Sequence, residues 1–90
     1  MNFDFSLEKN EILIRERGVS FYQIIESIAD KGILLDFPHP NTGKYPNQRI
    51  LIVECNKYTY CVPYVINNEI FFLKTIFPSR KFMNLLPGDK

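Results

Sequence analysis

The second half of the chain gathers side chains suited to a phosphodiester: Lys44 and Tyr45 side by side, then Arg49, Tyr64, Lys74 and the adjacent Arg80 and Lys81. Cleaving RNA through its own 2′-hydroxyl takes a proton acceptor, a cation to neutralise the phosphate oxygens as charge builds, and a donor to the leaving oxygen. Arginine stays protonated and cannot be the acceptor. Its planar fork, however, fits a phosphate bidentately. Arg49, Arg80 and Lys81 are therefore candidates for neutralising charge, and Tyr64 is a candidate for proton transfer or base stacking. Lys44, Tyr45 and Lys74 are candidates for holding the RNA. So is His39, the only histidine, whose ordinary pKa of about 6.5 also suits acid or base work near neutrality. Proton transfer is left to a lysine, a tyrosine or a desolvated carboxylate, with Tyr64, Lys44 and Glu54 all open. Each residue has a plainer reading as well: Tyr64 as a core aromatic, Arg49 as a cap on a sheet edge, His39 as a solvated loop residue. Arg80 and Lys81 fall where a helix should begin, which disfavours cations by about 0.3 to 1 kcal/mol. A phosphate bound there would meet both their charge and the helix amides.

Other chemistries find no motif. There is no Gly-x-Gly-x-x-Gly, phosphate loop, Gly-x-Ser-x-Gly or His-Glu-x-x-His. One histidine and two separated cysteines do not make a zinc ligand set, so the reading is of a chain with no metal and no cofactor. Cys55 and Cys61 sit in apolar strand patterns and read as buried free thiols in a reducing compartment. The N-terminal segment has no basic region followed by an apolar run, and no stretch nears the roughly 18 apolar residues of a membrane span. These signs point to a cytoplasmic chain without membrane association. Net charge is +1, but residues 1–36 carry seven acids and four bases whereas residues 37–90 carry seven bases and three acids. A polyanion would meet the second half.

The elements that must position these residues follow from pattern. An apolar content of 46% and an aromatic content of 14% are enough to offset ordering entropy, so the chain should fold as one domain over residues 1–86, with a short loose tail at 87–90. A first helix should start at Asp4 or Ser6 and stop at Gly18. A second is marked by the capping box Ser20-Phe21-Tyr22-Gln23, with a stripe of Phe21, Ile24, Ile25 and Ile28, and ends at Gly32. Residues 33–37 read as a short strand, followed by a ten-residue loop with three prolines. Three strands follow over 48–55, 58–66 and 69–77, joined by turns at Asn56-Lys57 and Asn67-Asn68. Pro63 should push its strand to an edge or a bulge. In the last strand, Ile70, Phe72, Lys74 and Ile76 should share a face. A short helix with Phe82, Leu85 and Leu86 on one side completes an α+β fold: two N-terminal helices on a small, mostly antiparallel twisted sheet.

Phe3-Asp4-Phe5, Glu8-Lys9-Asn10, Arg17-Gly18-Val19-Ser20-Phe21, the Pro-rich loop, Gln48-Arg49-Ile50 and Ile76-Phe77-Pro78-Ser79-Arg80-Lys81 together resemble the BrnT family of bacterial toxins. The resemblance reaches from the N-terminus to about residue 82. It implies a fold similar to the RelE-type ribonuclease toxins and an endoribonuclease that acts on mRNA, on the ribosome or free. It also implies neutralisation by a cognate antitoxin carrying a ribbon-helix-helix region, through which alone operator DNA would be bound. The positions it carries over are Arg49, Arg80 and Lys81, with Tyr64 at an aromatic strand position. Lys74 lies one residue before the basic position usual there, which is Thr75 in this chain. The rival reading is a non-catalytic module that docks an antitoxin or another protein without cutting RNA.

Overall fold

The computed structural model describes residues 1–87, and the chain folds as α+β. In order come β1 (Asn2–Phe5), α1 (Leu7–Arg17), α2 (Phe21–Lys31), β2 (Leu35–Pro38), β3 (Arg49–Cys55), β4 (Tyr58–Asn67), β5 (Ile70–Leu73), β6 (Phe77–Pro78) and a C-terminal 3-10 helix (Arg80–Leu85). The sheet runs β1-β5-β4-β3-β2, with β6 pairing on β4. All neighbours are antiparallel except β1 and β5, which are parallel.

β1 was not expected. Phe3 and Phe5 alternate with Asn2 and Asp4 at the strand period, but the segment is only four residues long, and its partner lies almost seventy residues away. Asp4 accepts from the neighbouring Phe5 amide, and it is Ser6 that caps α1 by accepting from the Lys9 amide. Only Asn10 and Leu13 of α1 are buried. Asn10 is spent on the second helix, because its Oδ1 accepts the Phe21 amide at 2.8 Å and satisfies one of the donors that a helix start leaves unpaired. The Ser20–Gln23 capping box forms in both directions, and α2 sets Phe21 and Ile24 into the core against β3.

The sheet face under the helices carries the larger core, including Leu51, Val53, Val62, Tyr64 and Leu73. The opposite face carries Ile50, Ile52 and Cys61, covered in part by Phe37 and Phe82. This is the alternation that a period of two imposes. It also separates the two cysteines, which are free and buried on different faces.

Two expectations about the back half change. The β4–β5 turn is Asn68-Glu69, one residue later than expected; both residues take positive φ, as Asn56 and Lys57 do at the preceding turn. Pro63 does not lie at an edge, because β4 is the central strand, but it does face a bulge: Tyr64 pairs with Leu73 and Cys61 with Phe77, so residues 74–76 oppose only Val62 and Pro63. The interruption falls in its neighbour instead. Pro63 O accepts the Lys74 amide at 2.8 Å, and a residue's N–H and C=O point to the same side of a strand. The amide that Pro63 lacks would thus face the same neighbour, and there the single strand expected over 69–77 breaks into β5 and β6. Residues 74–76 leave the sheet, Ile76 drops into the helix-side core, and Arg17 of α1 donates to its carbonyl. Ile76 therefore does not share a face with Phe72. Of the expected tail, Pro87 is exposed and the rest lies outside the described residues.

Candidate functional site

Antiparallel pairing sets Arg49, the first residue of β3, opposite Tyr64 on one side and Pro38 on the other. Asp36 pairs with Leu51, two residues along β3 from Arg49, so Asp36, Arg49 and Tyr64 share the helix-side face. Arg49 Nε donates to Asp36 Oδ1 at 3.0 Å, and Nη2 donates to the Asp36 carbonyl at 3.3 Å. The Tyr64 hydroxyl reaches the same carboxylate, 3.0 Å from Oδ1 and 2.9 Å from Oδ2. The Tyr64 ring lies parallel to Phe71, with centroids 4.8 Å apart, and Phe3 meets Phe71 edge-on.

The accessibility of the three differs sharply. Tyr64 is 1% exposed, whereas the Arg49 and Asp36 side chains are 40% and 37% exposed. Tyr64 is thus a core aromatic whose hydroxyl is spent on Asp36, and it cannot stack on a base. Burial, then the hydrogen bond to Asp36, pushes its phenol above the ordinary value, against a smaller opposing pull from Arg49. The carboxylate of Asp36 in turn raises the Arg49 guanidinium.

Burial also raises the Tyr60 phenol. Because these two phenols hold their protons more tightly folded than unfolded, the unfolded chain binds fewer protons above about pH 10, and stability must fall as pH climbs past that point. An ultraviolet titration of the folded protein should show both tyrosines ionising late, and Tyr64→Phe should flatten the alkaline loss of stability measured by denaturation. An equally steep loss in that variant would contradict the assignment.

The loop rooted beside Arg49 is ordered by its own polar groups. The His39 amide donates to Gln48 O at 3.0 Å, the Tyr45 amide to Asn41 O at 2.9 Å, and the Lys44 amide to Asn41 Oδ1 at 3.1 Å. His39 and Tyr45 rings lie 4.5 Å apart, and Lys44 Nζ sits 5.4 Å from the Tyr45 ring centre. The Asn41 amide donates to His39 Nδ1 at 3.0 Å. Three predicted RNA contacts, His39, Lys44 and Tyr45, therefore form one small tile.

The remaining predicted residues stand apart. Ser79, just before Arg80, donates its amide to Thr59 O. Thr59 is five residues along β4 from Tyr64, roughly 16 Å at about 3.3 Å per residue. Arg80 and Lys81 open a six-residue 3-10 helix without a side-chain cap, whose Phe82 packs on the face opposite the helices. So short a helix has little dipole to offer a phosphate. Lys81 instead lies near Cys61, whose thiol is raised by burial, with Ser79 and Lys81 acting the other way. Lys74 is exposed, with its Nζ 5.5 Å from the Phe72 ring centre. Glu54 is committed to Lys31 at 3.1 Å. The four residues expected to catalyse together thus divide between two faces. An open groove of about 550 Å³ between α2 and the β3–β4 turn, lined by Glu26, Ser27, Asp30, Lys31, Asn56 and Lys57, holds none of the predicted residues.

Sequence reasoning missed Asp36. The signal was present, since a lone carboxylate in the apolar run Ile33-Leu34-Leu35-Asp36-Phe37 needs a cation or strong donors. Among the described residues no three His, Cys, Asp or Glu side chains gather as a metal site, and no helix is long and apolar enough to cross a membrane. No family model, curated protein or solved structure matches the chain.

Proposed function

We propose that the chain is the toxin of a bacterial toxin–antitoxin pair and cuts mRNA as an endoribonuclease in the cytoplasm, held inactive by a cognate antitoxin with a ribbon-helix-helix region. The observation that carries this reading is the half-exposed Arg49–Asp36 pair at the mouth of β3, beside the loop tile of His39, Tyr45 and Lys44. Arg49 meets the scissile phosphate and neutralises its oxygens. The aromatic tile stacks a flanking base, a contact worth about 1 to 3 kcal/mol in single-strand binding, and Lys44 meets the adjoining phosphate. The 2′-oxygen then attacks phosphorus as its proton passes to solvent water, and the P–O5′ bond breaks as the leaving 5′-oxygen takes a proton from another water, giving a 2′,3′-cyclic phosphate.

The second reading, a module that docks a partner without cutting RNA, draws on the separation of Arg80 and Lys81 from Arg49 and on the burial of Tyr64. The deciding experiment incubates the purified chain with mRNA in the presence of a chelator and maps the ends, beside induced expression in a bacterial host. Fragments ending in a 2′,3′-cyclic phosphate, with growth arrest, support the ribonuclease toxin. Intact RNA at every protein concentration, with normal growth at good soluble yield, supports the docking module.

A further inference from the structure

Asp36 engages the guanidinium of Arg49 along one edge only, through Nε and Nη2. A guanidinium carries five N–H donors. Asp36 does not engage the end-on edge, formed by Nη1 and the outer hydrogen of Nη2, and the side chain is 40% exposed, although the Tyr64 hydroxyl also lies close to the guanidinium. Behind Arg49 the groups are progressively more fixed. Asp36 stands on a paired strand, its two carboxylate oxygens both meet the Tyr64 hydroxyl, and Tyr64 is buried flat against Phe71. A surface arginine ordinarily samples many rotamers, and one held in this way has given up that freedom before any ligand arrives.

We propose that Tyr64 and Asp36 are positioning residues that hold the end-on edge of Arg49 outward as a preset fork for a phosphodiester, the ligand class resting on the ribonuclease reading above. Tyr64 acts on Arg49 both through Asp36 and by its own proximity to the guanidinium, and Asp36 acts through Arg49. The arrangement explains why a buried tyrosine spends its hydroxyl on a carboxylate near the surface. It also separates fork geometry from charge: a lysine at position 49 would keep the charge and lose the two-pronged contact.

The test uses a fluorescent single-stranded 2′-deoxyoligonucleotide at low salt, which offers phosphodiesters but no 2′-hydroxyl and so reports binding without cleavage. Affinity is measured for the wild type, Tyr64→Phe, Arg49→Ala and the double variant, and the Arg49 Nε–H signal of the wild type is followed by nitrogen NMR during the titration. Arg49→Ala should weaken binding about tenfold or more, the scale of a charge-assisted hydrogen bond. Tyr64→Phe, which keeps the ring and its stack, should weaken it several-fold alone and not at all in the Arg49→Ala background, because a residue that acts through Arg49 has nothing left to position. The Arg49 signal should shift saturably. An unmoved Arg49 signal, unchanged binding in Tyr64→Phe, or the same loss from Tyr64→Phe in both backgrounds would overturn the proposal; the NMR readout needs no variant to fold. If the expected coupling appears but the matching RNA is never cut, the fork stands and the ribonuclease reading falls.

Discussion

An Arg49→Ala variant is expected to cut RNA about 10² to 10³ times more slowly than the wild type, the usual cost of removing one donor from developing negative charge. Arg80→Ala, by contrast, should change the rate little. The reason is geometric. Arg49 stands in a polar cluster with Asp36 at the mouth of β3, whereas Arg80 follows Ser79, which is tied beside Thr59 far along β4, and opens a helix packed on the other face. One phosphate cannot meet both. Initial rates at saturating concentrations of a defined single-stranded RNA and matched protein concentration would decide the matter, with circular dichroism to confirm that both variants fold. A larger loss from Arg80→Ala than from Arg49→Ala would move the reactive centre to the opposite face. Because Arg80 and Lys81 are exposed, neutralising them should instead lower RNA affinity with a smaller salt dependence, as counterion release predicts for a distant phosphate contact.

The second large effect is on stability. Phe21→Ala should cost about 3 to 5 kcal/mol, the range for emptying a buried aromatic site. Phe21 is fully buried, stacks on Phe5 with ring centres 4.8 Å apart, and packs in the helix-side core with Leu13, Ile24 and Leu51. Its amide is also the one that Asn10 caps, so the cavity would open where α1, α2 and β1 meet. For a chain of this length the whole stability is on the order of 4 to 14 kcal/mol. The loss is about a fifth of it or more. Urea denaturation should show a midpoint lower by roughly 2 M, given slopes of about 1 to 3 kcal/mol per M. Tyr22→Ala is the matched control: Tyr22 touches the same Phe5 edge-on but is 59% exposed, and its loss should cost about 1 kcal/mol or less. Equal effects from the two would mean that α2 is not docked as described.

The two helices, the hairpin strands and the overall α+β layout were legible in the sequence because each rests on local signals. Ser20 and Gln23 are three residues apart and cap one helix start; Gly18 takes the left-handed conformation that ends α1; Asn56 and Lys57 turn a chain whose apolar residues already alternate. Neighbours along the chain settle such features before any distant contact forms. Lys44, Tyr45 and His39 stand out singly in the sequence as RNA contacts, and the ten-residue loop that they share is what brings them together.

Which distant residues meet depends on the packed fold. β1 needs β5 before its four residues count as a strand, and the break in the last strand falls opposite Pro63, which has no amide to offer it, where Arg17 of α1 holds the Ile76 carbonyl. The same holds for the site. Types and charge singled out Arg49, Tyr64, Arg80 and Lys81, but a period of two sends successive residues to opposite faces, and only the pairing of β2 with β3 and β3 with β4 brings Asp36, Arg49 and Tyr64 together while leaving Arg80 and Lys81 behind the sheet. Local elements and the chemistry on offer can be read along the chain; register and strand order, which depend on pairings between residues far apart, select which of those groups act on one another.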